Sequence, residues 1–293
     1  MCPILYNFVV MKTYPKISLT GDLGSGKSAV SKLLNEQLGF PVISTGSIQR
    51  AIASKHGMST LELNEYTKTH PEIDDEIDGR VTELSEKPES VIFDSRLAWH
   101  FAPTSFRVYL LVDPYVAAGR IFHDKRTSEK YMHIEEAHQK IMARRKSELE
   151  RFSAYYNIDY GDLRNFDLVV ETTHANPEEV ADCIIRSFEA WKADMTFPGC
   201  WLSPRNLLPT RMICCGIDKD RTQLNVLQHD RCFLIIHGHT LVSKAIAGGE
   251  NLIQATLRHE GFEDLKGSLR KSFLKQWEDM NFIRFREYPE FYQ

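Results

Sequence analysis

Residues 21–28 read GDLGSGKS, a glycine-rich run closing on Lys27 and Ser28, set between the apolar KISLT and the helical-period AVSKLLNEQLGF. The spacing Gly21-x-x-x-x-Gly26-Lys27-Ser28 is the Walker A pattern, found after a strand and opening a helix. Glycines let backbone N–H groups turn inward around phosphate oxygens, and the helix N-terminus adds its partial positive charge. Gly24 and Ser25 lie in the turn, Lys27 reaches the β and γ oxygens, and Ser28 is the expected Mg2+ ligand. The loop implies a bound nucleotide, and the rest of the chain must decide what is done with it.

Arginine supplies the next clue: Arg50 in STGSIQRA, Arg96 in FDSRL, Arg120 and Arg126 in GRIFHDKR, and Arg144, Arg145 and Arg151 in ARRKSELERF. Moving a phosphoryl group between two anions requires cations around both, because their approach is otherwise strongly repulsive in a dry site. No Asn-Lys-x-Asp guanine-reading motif is present. Phosphoryl transfer needs no strong base, only positioning and charge neutralisation.

The elements that must hold these groups follow from hydrophobic period. KISLT, FPVIST, SVIFDS, FRVYLLVD and FDLVVET read as strands, and helical-period stretches lie between them: GSIQRAIASKHG, LELNEYTKTHPEIDDEIDGRVTELSEK, HIEEAHQKIMARRKSELERFSAYYN and NPEEVADCIIRSFEAWKADM. This alternation predicts an α/β domain, residues 1–195, with a five-stranded parallel sheet and flanking helices. TFPGCWLSPRNLLPT then changes the texture to Pro, Gly and Trp, and residues 196–293 form a second, small α+β domain.

At 42% hydrophobic and 26% charged, the 293 residues suit a globular protein, and a formal charge of −4 speaks against a surface built wholly for nucleic acid. Six cysteines without a C-x-x-C pair are expected of a reducing, cytoplasmic setting. MCPILYNFVV is apolar but too short for a span and has no basic leader, so no membrane association is expected.

Three separated segments, TGDLGSGKSAVSKLLNEQLGFPVISTGSIQRAIASKHGMS, PEIDDEIDGRVTELSEKPESVIFDSRLAWHF and RKSELERFSAYYNIDYGDLRNFDLVVET, resemble the cytidylate kinase family, especially its compact archaeal-type branch. The resemblance runs from about Lys16 to Trp191 and implies ATP as phosphoryl donor, Mg2+, and CMP or dCMP as acceptor. It implies that Arg50 and Arg96 grip the acceptor's phosphate and that Thr45 and Gly46 line the acceptor side. By the same resemblance Arg120 and Arg126 flank a lid, Arg126, Arg145 and Arg151 close on the transferring group, and Asp94 takes the place of a Walker B acid holding a Mg2+ water. Two departures stand out. Ser44 and Ser47 surround Thr45-Gly46 where the family commonly carries an aspartate, and FDSRL lacks the family's small or glycine-containing turn before the arginine.

RCFLIIHGHTLVSKAIAGGENLIQATLRHEG reads as strand, His-Gly-His turn, helix and strand, and with WLSPRNLLPTRMI it resembles the ParB/sulfiredoxin-like fold over about residues 200–263. His237 stands where that fold usually has Asp, and Thr240 where a basic residue or histidine is common. His237, Gly238, His239 and Thr240 form a candidate ligand turn at a helix N-terminus. In the tail, Phe273, Leu274 and Trp277 fit the apolar face of an amphipathic helix.

Three functions stay open on this reading. The chain phosphorylates a pyrimidine nucleoside monophosphate, with CMP or dCMP favoured; or the same machinery serves a modified nucleotide or another small phosphate or alcohol; or it is a nucleotide-gated DNA-associated factor, with nucleic acid as a partner of the C-terminal domain.

Overall fold

The computed structural model describes residues 14–258 apart from 60–61, 64–65, 67–69, 71, 125–130, 211–222 and 230. The N-terminal apolar run, Arg126 and the tail residues Phe273, Leu274 and Trp277 lie outside the described residues. Two compact units divide the chain: residues up to Leu168 with Pro177–Thr196, and Val169–Asn176 with residues from Phe197 onward.

In the first unit, β1 (Ile17–Gly21) is buried at every position, as a strand covered on both faces must be. Its two polar side chains are satisfied locally. Ser105 Oγ donates to Ser18 Oγ at 2.9 Å, and Thr20 Oγ1 donates to the Ser95 carbonyl at 3.1 Å. Parallel pairing flanks β1 with β3 (Ile92–Asp94) and β4 (Phe106–Leu111), in registers that set Leu19 beside Asp94 and Gly21 beside Leu110. β2 (Val42–Ser44) pairs in parallel on the far side of β3. Parallel order brings the C-terminal ends of β1, β2 and β3, and the loops that follow them, to one edge of the sheet, where ligands bind in open α/β folds.

Helices fill the connections. α1 (Lys27–Leu38) starts at Gly26 and ends at Gly39, and α2 (Thr45–Lys55) starts at Ser44. Of the stretch read as one helix over 61–87, the structure gives α3 (Glu72–Glu86). Ile73, Ile77 and Val81 recur at four-residue intervals and are buried in a cluster with Ile48, Ile52 and Phe93. α4 (Ala98–Phe101) and α5 (Pro114–His123) flank β4, followed by the long α6 (Ile134–Tyr156). α7 (Pro177–Lys192) lays Phe188 against Phe40, Phe106 and Trp191, with ring centroids 6.0, 5.7 and 5.9 Å away.

The expected five-stranded parallel sheet is corrected here. Ten strands are described rather than five: within the first unit they run β2-β3-β1-β4, all in parallel, and the second unit holds antiparallel pairs of its own. The physical reason lies in β5 (Leu168–Glu171), whose Val169 and Val170 pair with Cys200 and Trp201 of β6 (Cys200–Leu202) and so leave no bare edge there.

The second unit continues with β7 (Leu207–Pro209), β8 (Asn225–His229), β9 (Cys232–His237), α8 (His239–Ala247) and β10 (Ile253–Arg258). β8 and β9 form an antiparallel pair, and β10 runs antiparallel to β6 and parallel to β8. Buried Glu171 accepts from Ser203 N at 2.9 Å, from Thr173 Oγ1 at 2.9 Å and from Asn206 Nδ2. That set of donors lets a carboxylate sit in a core where an unpaired one would be costly.

Candidate functional site

The loop after β1 is shaped by what surrounds it. Gly24 has φ +74, and a Cβ there would lie 2.9 Å from the Cα, Cβ and O of Ala117 in α5. Neither the backbone angle nor the packing admits a side chain. Ser25 is buried, and its hydroxyl has no hydrogen-bond partner among the described residues. Orphaned hydroxyls of this kind inside a ring of amides fit an anion's oxygens.

The loop forms the floor of a cavity of about 810 Å3. Lys27, Arg96, Arg120, Lys140 and Arg144 contribute its cations, and Asp22 and Asp124 its carboxylates, with Ser28, His123 and Tyr131 also on the wall. Lys27 Nζ pairs with Asp94 Oδ1. Burial pulls the Lys27 ammonium below its ordinary range, and Asp94 restores only part of the loss. An arriving phosphate would therefore find a cation that is poorly solvated and held by a single carboxylate. Arg120 donates to the Gly24 carbonyl at 3.2 Å, and burial lowers its pKa as well.

Asp94 and Arg96 leave the sheet at the end of β3, beside the loop. Arg96 Nη1 donates to the Gly21 carbonyl, and Arg96 Nε lies 3.1 Å from Glu148 Oε2. The hydroxyl of Ser28 and the carboxylate of Asp94 are both oxygen donors of the kind Mg2+ takes. No group of three or more His, Cys, Asp or Glu placed to hold a metal occurs among the described residues.

The acceptor-side candidates cluster at the start of α2. Ser44 and Ser47 cap the helix reciprocally: Ser47 N donates to Ser44 Oγ and Ser44 N to Ser47 Oγ, each at 3.0 Å. Thr45 and Gly46 form the first turn, and Arg50 folds back so that its Nη1 would lie 3.5 Å from a Cβ on Gly46. Arg50 is exposed and is not part of the cavity wall.

Arg145 and Arg151 sit elsewhere than the cavity wall. Arg145 Nη1 donates to Asp22 Oδ1 and, at 3.1 Å, to Tyr109 Oη. Tyr109 Oη donates to Asp22 Oδ1 at 2.9 Å, and Val112 N to Asp22 Oδ2 at 3.2 Å. Burial, the largest single influence, would lower the Arg145 pKa, but Asp22, Tyr109 and Tyr160 together outweigh it and the net shift is upward. The carboxylate of the glycine-rich loop is thus turned inward and neutralised. Arg151 is exposed, its guanidinium 5.0 Å from the Phe152 ring centroid. Sequence reasoning passed over Lys140, Asp22 and Glu148. Lys140, Arg144 and Glu148 recur at four-residue spacing on one helix, a signal present in the sequence.

In the second unit, Gly238 has φ +95, and a Cβ would meet Gln223 O and Leu224 Cα at 2.9 Å. The strand ends at His237 and the helix begins at His239, so the two histidines do not share a strand face. His239 is 2% exposed and its Nε2 accepts from Thr210 N at 3.2 Å, which turns the ring inward, whereas His237 and Thr240 are half-buried.

A family model described as an AAA domain matches residues 17–153. The cytidylate kinase of Methanobrevibacter smithii is 34% identical over 173 residues, covering 59% of this chain and 98% of that protein. The cytidylate kinase of Thermoplasma volcanium is 34% identical over 178 residues, covering 59% of this chain and 91% of its own. The S-adenosylmethionine-dependent nucleotide dehydratase of Lacinutrix mariniflava is 35% identical over 189 residues, which make up 64% of this chain but only 38% of that protein.

Proposed function

Since the chain belongs, over its N-terminal unit, to the cytidylate kinase family, we propose that it transfers the γ-phosphoryl group of ATP to a pyrimidine nucleoside monophosphate, CMP or dCMP. The enzyme is a nucleoside monophosphate kinase-like phosphotransferase. One observation carries the reading of its chemistry: Lys27, Arg96, Arg120, Lys140 and Arg144 line one cavity above the glycine-rich loop.

Backbone amides of Gly24–Lys27 and the Ser25 hydroxyl receive the β-phosphate of ATP, and Lys27 exchanges Asp94 for the β and γ oxygens. Arg120 and Arg144 face the γ-phosphate and lower the repulsion it presents to the acceptor. Arg96, at the end of β3, holds the acceptor's phosphate, with Arg50, Thr45 and Gly46 at the acceptor side. Ser28 and Asp94 would hold Mg2+, which would supply charge that neutralises the phosphates. The acceptor oxygen is already anionic, so the chain need only align it with the γ-phosphorus.

A second reading, a modified pyrimidine nucleotide as acceptor, draws on one feature. Ser44 and Ser47 spend their hydroxyls on each other's amides, and no carboxylate stands there for a sugar. The Lacinutrix relative, a nucleotide dehydratase by name, points the same way. For the second unit, the succession β9, glycine turn, α8 and β10 supports an accessory domain of ParB/sulfiredoxin-like type beginning near residue 196. DNA remains its candidate partner.

The test is coupled ADP release with Mg-ATP against CMP, dCMP, UMP, dUMP, AMP, GMP, dTMP and dideoxy-CMP. Fastest turnover with CMP or dCMP is expected. Preference for dideoxy-CMP moves the assignment to modified nucleotides, and turnover confined to purines overturns both. Salt-sensitive DNA retention without acceptor turnover would favour the DNA-associated alternative.

A further inference from the structure

One carboxylate lies behind the cavity and holds cations from both of its sides. Glu148 is on α6, one turn beyond Arg144, and does not line the cavity, whereas Arg96 and Arg144 do. Its Oε1 accepts from Arg144 Nε at 3.1 Å, and its Oε2 lies 3.1 Å from Arg96 Nε. Tyr160 Oη adds a donor to Oε2 at 3.3 Å, and burial pushes that phenol up to about 12, so it keeps its proton. The Glu148 side chain is 15% exposed.

The contacts are made through the guanidinium Nε atoms. Among the described residues neither terminal nitrogen of Arg144 has a hydrogen-bond partner, and Arg96, whose Nη1 is on the Gly21 carbonyl, keeps Nη2. Resting on the reading of Arg96 as the acceptor-side cation, we propose that Glu148 is a positioning residue that couples donor and acceptor binding, by holding Arg96 and Arg144 in one register. A phosphate that orders Arg96 fixes Glu148, and a fixed Glu148 orders Arg144 for the donor. The coupling is reciprocal by thermodynamic necessity.

A carboxylate meets this geometry with one oxygen for each arginine. Glutamine keeps the volume but is neutral and has one acceptor oxygen, so it loses the charge that pairs with Arg96 while it can still accept from Arg144. Glu148→Gln therefore breaks the link between the arginines without opening a cavity.

The experiment measures the Kd of β,γ-imido ATP with Mg2+ by calorimetry, alone and with saturating CMP, for wild type and Glu148→Gln. In the wild type, CMP is expected to tighten the analogue by about fivefold or more, the usual lower range for coupled sites. In the variant the factor falls to about 1, while the melting temperature shifts by only a few degrees, which a purely structural role would not produce. A variant that keeps the wild-type factor overturns the proposal. If the wild type does not bind CMP, the pyrimidine reading fails separately, and inorganic phosphate at saturating β,γ-imido ATP replaces CMP as the acceptor-side probe. A wild-type factor near 1 with both probes also overturns the coupling.

Discussion

Asp22 is the residue whose replacement tests the architecture of the loop most sharply. A carboxylate in a phosphate-binding loop should repel its ligand unless something consumes its charge. The structure assigns that role to Arg145, in a pair whose side chains are 17% and 6% exposed, supported by Tyr109 Oη and Val112 N. In Asp22→Asn the Arg145 and Tyr109 contacts keep one acceptor oxygen, but an NH2 replaces the oxygen that receives Val112 N–H, and the buried guanidinium loses its counter-charge. Breaking a buried pair from one side costs about 3–5 kcal/mol. Because Arg145 keeps Tyr109 Oη at 3.1 Å, the lower end, about 3 kcal/mol, is expected here. For a unit of this size that is a fall in Tm of roughly 6–12 °C. Thermal unfolding of Asp22→Asn, Arg145→Gln and the double variant gives the coupling, expected at about 2 kcal/mol or more for groups in direct contact. A loss under about 1 kcal/mol, additive single effects, or a lower KM for ATP in Asp22→Asn would refute the reasoning.

Four other outcomes are expected. Lys27→Ala abolishes transfer and leaves the circular dichroism spectrum close to wild type, with a lowered Tm because Asp94 loses its buried partner; wild-type turnover would remove the loop from the mechanism. Arg96→Ala raises the acceptor KM and lowers kcat while the affinity for ATP alone changes little, a split read from initial rates. Gly24→Ala, facing backbone atoms at 2.9 Å with φ +74, weakens ATP binding by about tenfold or more, checked by titration. Burial, with Asp74 and Asp75 nearby, raises Asp78 from 3.8 to about 6 against the pull of the Tyr156 hydrogen bond at 2.5 Å. A raised native pKa means that the folded state binds the proton more tightly. The stability from Asp78 is then complete below pH 3.8 and lost as pH rises through about 6. Asp78→Asn should raise stability at pH 8 by about 1 kcal/mol after screening, and leave it unchanged at pH 3.5, in paired melts.

The loop was legible because its requirements are local: two glycines, a lysine and a serine at fixed spacing between strand and helix signals. Asp94 and Arg96 were legible for a related reason, since a parallel strand delivers its C-terminal residues to the ligand edge. What the residues of α6 do was not legible. Arg144 and Arg145 are neighbours in sequence, yet successive helical residues point about 100° apart, and one reaches the cavity while the other reaches Asp22. Which faces which depends on how the helix docks, and spacing does not encode that. α5 carried a readable signal that was passed over: Asp113 caps it, accepting from Tyr115 N at 2.9 Å, with Pro114 in the first turn. The strand count missed the pairing of β5 with β6 because pairing partners are set by three-dimensional neighbours rather than by composition.

The cavity has a consequence for how ligands arrive. The chain carries a formal charge of −4, so its net charge repels an approaching polyanion. Five basic side chains line the cavity, their charges partly offset by Asp22 and Asp124 on its wall and by Asp94 and Glu148 behind them. Basic lining of this kind should attract diphosphates and triphosphates and raise their association rate. Such steering weakens as ionic strength shortens the Debye length to about 10 Å at 0.1 M salt. Buffer phosphate and sulfate enter by the same route, so the enzyme should take up whichever small oxyanion its solution holds and release it only to a ligand carrying more charge.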